Sequence, residues 1–330
     1  MEDKIVKQYY NKYTTFYTRK QANKKPVGYS DSPMKPFLLM KKIKEMDLSY
    51  LFQINNNFPP FQDSDFQIAH TEDYIKNFFY DESETVRSNG LLRTEEFAST
   101  IRFTNSSLYH AQKYAVESPS CITFSPTSGF HHATPLRGSA FCTFSGQVIS
   151  AVKLYREKGI RTAWIDMDGH RGNSIEDSRR FVPDLNDAIP VGMNLNPVRS
   201  TNLEYLEDLD MGLERIAEEV LAGRIHSICF AQGADSHEWD RLSFDDTSLS
   251  TEDWIKAHQM VFESVKTMSQ QANKHIPLTI SLFGGYREDD YDSVLNLHLG
   301  TLISGMEILS GVKPKYKLKD DPYQEKIFLV

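Results

Sequence analysis

Paired cysteines are missing. The three present, Cys121, Cys142 and Cys229, have no spacing that builds a disulfide framework or a cysteine zinc site, so each reads as a small core hydrophobe. No run of about 18 apolar residues occurs, and no apolar stretch follows the charges of the N-terminal MEDKIVKQYYNKY. That argues against a spanning helix and a signal peptide, and no membrane partner with a cytoplasmic location is the expectation. An excess of basic charge is lacking too: 37 Lys and Arg against 45 Asp and Glu give a net charge of −8, which disfavours a nucleic-acid surface and leaves cationic substrates open. No internal repeat, low-complexity stretch or Pro/Gly-rich linker divides the 330 residues, so one domain over 1–330 is expected.

What is present fits a soluble, core-forming chain, with 40% apolar and 12% aromatic residues. The N-terminal region is locally basic, with Lys4, Lys7, Lys12, Arg19, Lys20, Lys24 and Lys25 set among tyrosines. It reads as a solvated arm over about 1–28, and a charged tail is expected over about 312–330.

From about residue 118, short β-rich runs alternate with longer helical patterns, as in a parallel sheet with crossover helices. The runs are Cys121–Ser125, Thr162–Asp166, Ala188–Met193, Ser227–Phe230 and Leu278–Leu282. Helices are expected over Gln147–Glu157, Asp210–Leu221, Glu252–Gln271 and Asp292–Leu309, and upstream over Phe37–Met46, Thr71–Phe79 and Glu95–Val116. Gly159 and Gly223 suit helix C-termini, and Ser250 or Thr251 can cap the long helix. The expected architecture is α/β, three layers with helices on both faces of a mainly parallel sheet.

In such sheets, ligands bind beyond the carboxyl ends of the strands. The segments there are SGFHHA (Ser128–Ala133), DMDGH (Asp166–His170), GADS (Gly233–Ser236) and FGGY (Phe283–Tyr286). Asp168 and His170 are two apart, so in extended geometry they face the same side, and Asp235 can complete a set of two carboxylates and one imidazole. An Asp capping a turn beside an exposed His is the alternative for the pair alone. His131 and His132 follow the turn-permitting Gly129; a histidine pair is either an exposed structural feature or the acid and base of a hydrolase. Gly284 and Gly285 let backbone approach a pocket, and Tyr286 is either a turn aromatic or a donor to a developing oxyanion.

Taken in order, SGFHHA with GSAFC (Gly138–Cys142), IDMDGH, GADS and GGY resemble the motif set of the zinc-dependent histone deacetylases, of the arginase/deacetylase superfamily. SPMKP (Ser32–Pro36) resembles their HPMKP-like segment, and AHTEDYIKNF (Ala69–Phe78) their H-x-x-x-Y-I helix, so the likeness covers roughly residues 30–290. The resemblance implies an arginase/deacetylase-like fold with zinc, or iron(II) in some members, on Asp168, His170 and Asp235. It also implies His131 and His132 as acid and base, Tyr286 polarising the scissile carbonyl, and Asp166 and Asn173 supporting the two histidines. A potassium-like site near Asp166, Asp168 and His170 follows from the same likeness, as does a substrate tunnel walled by Phe141 with Gly129, Gly284 and Gly285. The implied reaction is metal-assisted hydrolysis of a linear amide.

The departures bear on substrate more than on reaction. Arg171-Gly172-Asn173-Ser174 stands where the family has His-Gly-Asp/Asn-Gly, and Arg171 either faces inward or pairs outward with Glu176 or Asp177. Leu38 replaces an arginine of class I relatives, Asn194–Leu203 lacks the usual second tunnel wall, and no clamping aspartate is secure between Glu82 and Glu96. Two substrate classes stay open: acetyl-lysine in protein, which is favoured, and small acylated amines such as acetylpolyamines. Retention of every motif residue weighs against a silent binding scaffold.

Overall fold

The structure is a computed structural model, described here for residues 10–23, 28, 30–81, 89–118, 122–197, 201–243, 248–316 and 327. Most of the C-terminal tail, Cys121, Lys4, Lys7, Lys24 and Lys25 lie outside these residues, as do 82–88 and 198–200 of the rim segments.

Seven parallel strands form one sheet in the order β2-β1-β3-β7-β6-β4-β5. They are β1 (Tyr13–Phe16), β2 (Phe52–Asn55), β3 (Ile122–Phe124), β4 (Thr162–Asp166), β5 (Asn194–Leu195), β6 (Ser227–Gly233) and β7 (Leu278–Phe283). Apart from the edge strand β2, whose last three residues are exposed or half-buried, and Asn194 of β5, every strand residue is buried. That is the pattern of a parallel sheet covered on both faces.

The helices fall into two packed groups. Glu95–Glu117 (α4) contacts Gly146–Lys158 (α5), which in turn meets the short α6 (Ser174–Ser178) and α7 (Leu185–Ala188). Asn202–Leu221 (α8) contacts Thr251–Ala272 (α9); α9 contacts Tyr291–Ser310 (α10), and α10 contacts Lys35–Glu45 (α1). Two further helices, Asp63–Phe66 (α2) and Glu72–Tyr80 (α3), complete the set. Chemistry marks their ends. Thr71, Thr94, Thr201 and Ser250 each accept a backbone N–H of the first turn, while Gly159, Asn273 and Gly311 close α5, α9 and α10 with left-handed dihedrals.

Two expectations are corrected. The basic segment is not a solvated arm where it is described: Tyr13–Phe16 is a fully buried strand between β2 and β3, and the Arg19 guanidinium lies 3.8 Å above the Phe37 ring. The run Ala188–Met193 is not a strand. Ala188 ends α7, Gly192 turns the chain at φ 86°, and β5 is the two residues beyond. Smaller differences are at ends, with α8 starting at Asn202 rather than Asp210.

Two buried histidines tie stability to pH. His70 at the start of α3 contacts the Thr134 carbonyl at 2.9 Å through Nδ1, and its Nε2 accepts the Ser145 N–H at 2.8 Å, which requires a neutral ring. His258 Nδ1 contacts the Trp254 carbonyl at 2.8 Å. Burial drives both imidazoles down to about 3, and nearby backbone carbonyls only partly offset it. A depressed histidine binds a proton in the unfolded chain before the folded one, so stability is complete above the unfolded value near 6.5 and is lost as pH falls towards 3. At pH 5 each is expected to cost about 2 kcal/mol relative to pH 7.5. Urea midpoints at the two pH values check this: His70→Gln should lose a smaller part of its stability on acidification than the native chain.

Candidate active site

Four neighbouring strands, β3, β7, β6 and β4, deliver the site from their carboxyl ends. The chain leaves β4 through Met167 and Asp168 and bends at once, because the His170 N–H donates to Asp168 Oδ1 at 2.9 Å and the Asp168 N–H approaches Asp166 Oδ1 at 3.3 Å. The loop after β6 lies against it: the Gly169 N–H donates to Asp235 Oδ1 at 3.0 Å, and a Cβ on Gly233 would stand 2.1 Å from the Met167 carbonyl oxygen. Glycine at 233 is therefore what lets the two strand ends touch.

This packing brings Asp168, His170 and Asp235 together, with one ligand atom from each lying within 4.8 Å of the others. His170 Nδ1 is 2.8 Å from Asp235 Oδ2 and 3.1 Å from Asp168 Oδ1. Both carboxylates are buried, at 2% and 0% exposure. Burial, then the Asp168 charge, pushes the Asp235 carboxyl up to about 6, and hydrogen bonds to Asp168 and then Asp235 carry the His170 imidazole up to about 10. Both shifts favour the protonated form, the direction expected where two buried carboxylates crowd one imidazole. Two carboxylate oxygens and an imidazole nitrogen with an open side suit a divalent cation, so the group can hold a metal ion.

His131 and His132 stack beside it, ring centroids 4.0 Å apart, and each is held through Nδ1. His131 meets Asp166 Oδ2 at 3.0 Å, and an ionised carboxylate only accepts, so Nδ1 carries the hydrogen and Nε2 faces Asp168 at 3.5 Å. Asn173 donates to Asp177 Oδ2 at 2.6 Å, which leaves its Oδ1 to accept from His132 Nδ1 at 2.7 Å. The partners differ in charge and so do the rings. Burial lowers both; for His131 the carboxylates of Asp168 and Asp166 outweigh it and lift the ring to about 9, whereas burial and the His131 charge take His132 down to about 4. Gly172 makes room for this arrangement, since a Cβ there would lie 2.7 Å from Asp166 Oδ2.

Tyr286 closes the other side. Its ring centroid lies 6.4 Å from that of His170 and 5.4 Å from that of Phe141. Burial and then the Asp168 and Asp235 charges push its phenol well up, so it stays a neutral donor, and no hydrogen bond to its hydroxyl occurs among the described residues. A narrow pocket lies between these groups, lined by Gly129, His131, Phe141, Asp168, Gly284 and Tyr286 among others. Gly129, at φ 87°, would place a Cβ 3.1 Å from the Phe141 carbonyl oxygen. Gly285, at φ 94°, would place one 2.3 Å from Val294. Of the candidate residues, Gly129, His131, Phe141, Asp168, Gly284 and Tyr286 line this pocket, and His132, His170 and Asp235 lie next to them through the contacts above.

Two groups next to the site carried no sequence expectation. Lys35, within the SPMKP segment, is 1% exposed and donates to the Gly284 carbonyl; Asp240 accepts the Tyr286 N–H at 2.6 Å. No motif spacing marks Asp240. His70 and Tyr74 explain the AHTEDYIKNF segment structurally: they brace the loop after β3 through the Ser145 N–H and the Thr143 carbonyl. Arg171 is exposed and lines a polar pocket with Gly172, Glu176, Asn194 and Asp208, a different set of residues from the Tyr286 pocket. Leu38 packs half-buried against the core.

Residues 31–185 match the histone deacetylase domain family. Among curated proteins, histone deacetylase 8 of Xenopus laevis is 35% identical over 72 residues, 22% of each chain. Histone deacetylase 2 of Arabidopsis thaliana is 26% identical over 196 residues, 53% of this chain and 48% of that protein. The matched stretches therefore span less than half the length of either relative. Among solved structures, a histone deacetylase homologue complexed with SAHA superposes with a TM-score of 0.67 at 17% identity, covering 96% of this chain and 88% of that one. An acetylpolyamine aminohydrolase from Burkholderia pseudomallei gives 0.64 at 14% identity, covering 90% and 99%. These likenesses carry the fold, a three-layer α/β/α sandwich.

Proposed function

We propose that this chain, whose residues 31–185 match the histone deacetylase domain family, hydrolyses the amide of an acylated amine, with acetyl-lysine in protein as the favoured substrate. The observation that carries this is the convergence of Asp168, His170 and Asp235 within 4.8 Å of one another, beside a pocket lined by Asp168, His131 and the Tyr286 phenol, with His132 stacked on His131. Those three residues would hold the cation, zinc or iron(II), and a monovalent ion beside Asp166, Asp168 and His170 belongs to the same proposal. A divalent ion there supplies Lewis acidity, polarising a carbonyl and making nearby water more acidic.

The chain's own groups divide the remaining work. His132, paired with a neutral amide and kept unprotonated, takes the proton of the attacking water through Nε2. His131, paired with a carboxylate, holds a proton to deliver to the leaving nitrogen. Tyr286 donates its O–H to the carbonyl oxygen as negative charge gathers on it. Phe141 and Gly129 exclude water from one side of the cavity.

A second reading, hydrolysis of small acylated amines, draws support from the likeness to the acetylpolyamine aminohydrolase. A panel of acetyl-lysine peptides, longer acyl-lysine peptides and acetylpolyamines separates the two. Peptide turnover at least tenfold above that of polyamines is expected; turnover of polyamines alone would move the assignment, and no turnover with metal bound would remove both.

A further inference from the structure

Lys35 is the first residue of α1, whose preceding N-cap is Met34, and no acidic side chain lies in that first turn. A cation there opposes the helix dipole, and at 1% exposure it has also left water. Neither helix stability nor solvation explains its place, so the explanation lies in what it touches. Its Nζ donates to the carbonyl of Gly284, the first residue of the glycine pair that leads to Tyr286. The nearest opposite charges are those of Asp235, Asp168 and Asp240, which partly offset burial and leave the ammonium near 8, so it is still charged at neutral pH. Fully buried His298 of α10 lies beside it and is kept neutral by burial and then by the Lys35 charge.

The loop needs such an anchor. Gly284 and Gly285 have no side chains with which to hold themselves, and both sit at positive φ, 54° and 94°. Polar groups grip the loop instead: Asp240 takes the Tyr286 N–H at 2.6 Å, Arg241 Nε donates to the Tyr286 carbonyl at 3.2 Å, and Lys35 takes the Gly284 carbonyl.

We propose that Lys35 is a positioning residue whose buried ammonium clamps the Gly284 carbonyl and thereby holds the Tyr286 phenol over the Asp168–His170–Asp235 cluster. The inference rests on the hydrolase reading of that site, and it reaches the reaction only through Tyr286.

The test compares native protein, Lys35→Met, Tyr286→Phe and the double variant. Amide hydrogen exchange at Gly285 and Tyr286 should rise at least about tenfold in Lys35→Met, since the loop loses the polar side chain that holds its Gly284 carbonyl. In turnover, Lys35→Met should lower kcat about 10- to 100-fold with KM within about threefold, and in the Tyr286→Phe background the further loss should be under about threefold, because both act on one interaction. Lys35→Gln, a neutral donor, serves where the methionine variant does not fold and should show a smaller rise in exchange. Unchanged exchange at Gly285 and Tyr286, or the same kcat loss in both backgrounds, overturns the inference. If the native protein hydrolyses no member of the acyl panel, the hydrolase reading fails and the exchange comparison still decides whether Lys35 anchors the loop.

Discussion

Gly284→Ala should remove activity by at least about 10³-fold while the equivalent change at Gly159 leaves it intact, because only the first has something in its way. A Cβ on Gly284 would fall 1.7 Å from Asp235 Oδ1 and 2.2 Å from its Cγ, at a φ of 54°. The left-handed backbone alone costs an alanine about 1 to 2 kcal/mol. The clash cannot be relieved by a rotamer of the new side chain, since alanine has none, so either the loop or Asp235 must move. Movement of Asp235 spoils the cation site, and movement of the loop carries Tyr286 away. Gly159 has a similar φ of 68° with nothing within 4 Å of its would-be Cβ, so its variant should lose only about 1 kcal/mol of stability. Turnover, divalent-cation affinity and urea midpoints of the two variants check the contrast; equal activities would refute the packing account of the site.

Tyr286→Phe should lower kcat about 10²- to 10³-fold with KM and stability nearly unchanged, the usual size of losing one oxyanion donor. The ring itself packs against Phe141, a contact that phenylalanine keeps, so the variant removes a hydroxyl and little else. Burial, and after it both carboxylates of the cluster, push the phenol's ionisation upward, so the group acts as a donor and its loss should leave the pH profile in place. Steady-state kinetics across pH reads this directly. A loss confined to KM would mean that Tyr286 binds substrate without favouring the transition state.

The strand ends of this site were readable because their chemistry is unusual where it stands. Acidic residues, histidines and paired glycines at the ends of buried, apolar-rich runs have no packing reason to be there, and at Asp168, His170 and Asp235 the structure brings them within 4.8 Å. β1 was not readable: it is four residues long, its neighbours Lys12, Arg19 and Lys20 are basic, and its burial comes from β2 and β3, which lie far away in sequence. β5 was misplaced because the apolar run Ala188–Met193 contains Pro190 and Gly192, turn formers that outweigh composition. The early start of α8 had a legible sign, Thr201 three residues before Glu204, whose N–H it accepts at 3.2 Å. Asp240 had none, and the SPMKP likeness marked the segment of Lys35 without giving that residue a role, since both roles depend on a loop reached only in the folded chain.

The most direct test of the account is metal dependence with a count attached. Protein stripped by a chelator should hydrolyse no acyl-lysine peptide, and one equivalent of zinc or iron(II) per chain should restore activity to the native sequence and none to Asp168→Asn, whose fold is retained. Activity indifferent to chelation, or restored equally in Asp168→Asn, would contradict the assignment of Asp168, His170 and Asp235 as the centre of the reaction.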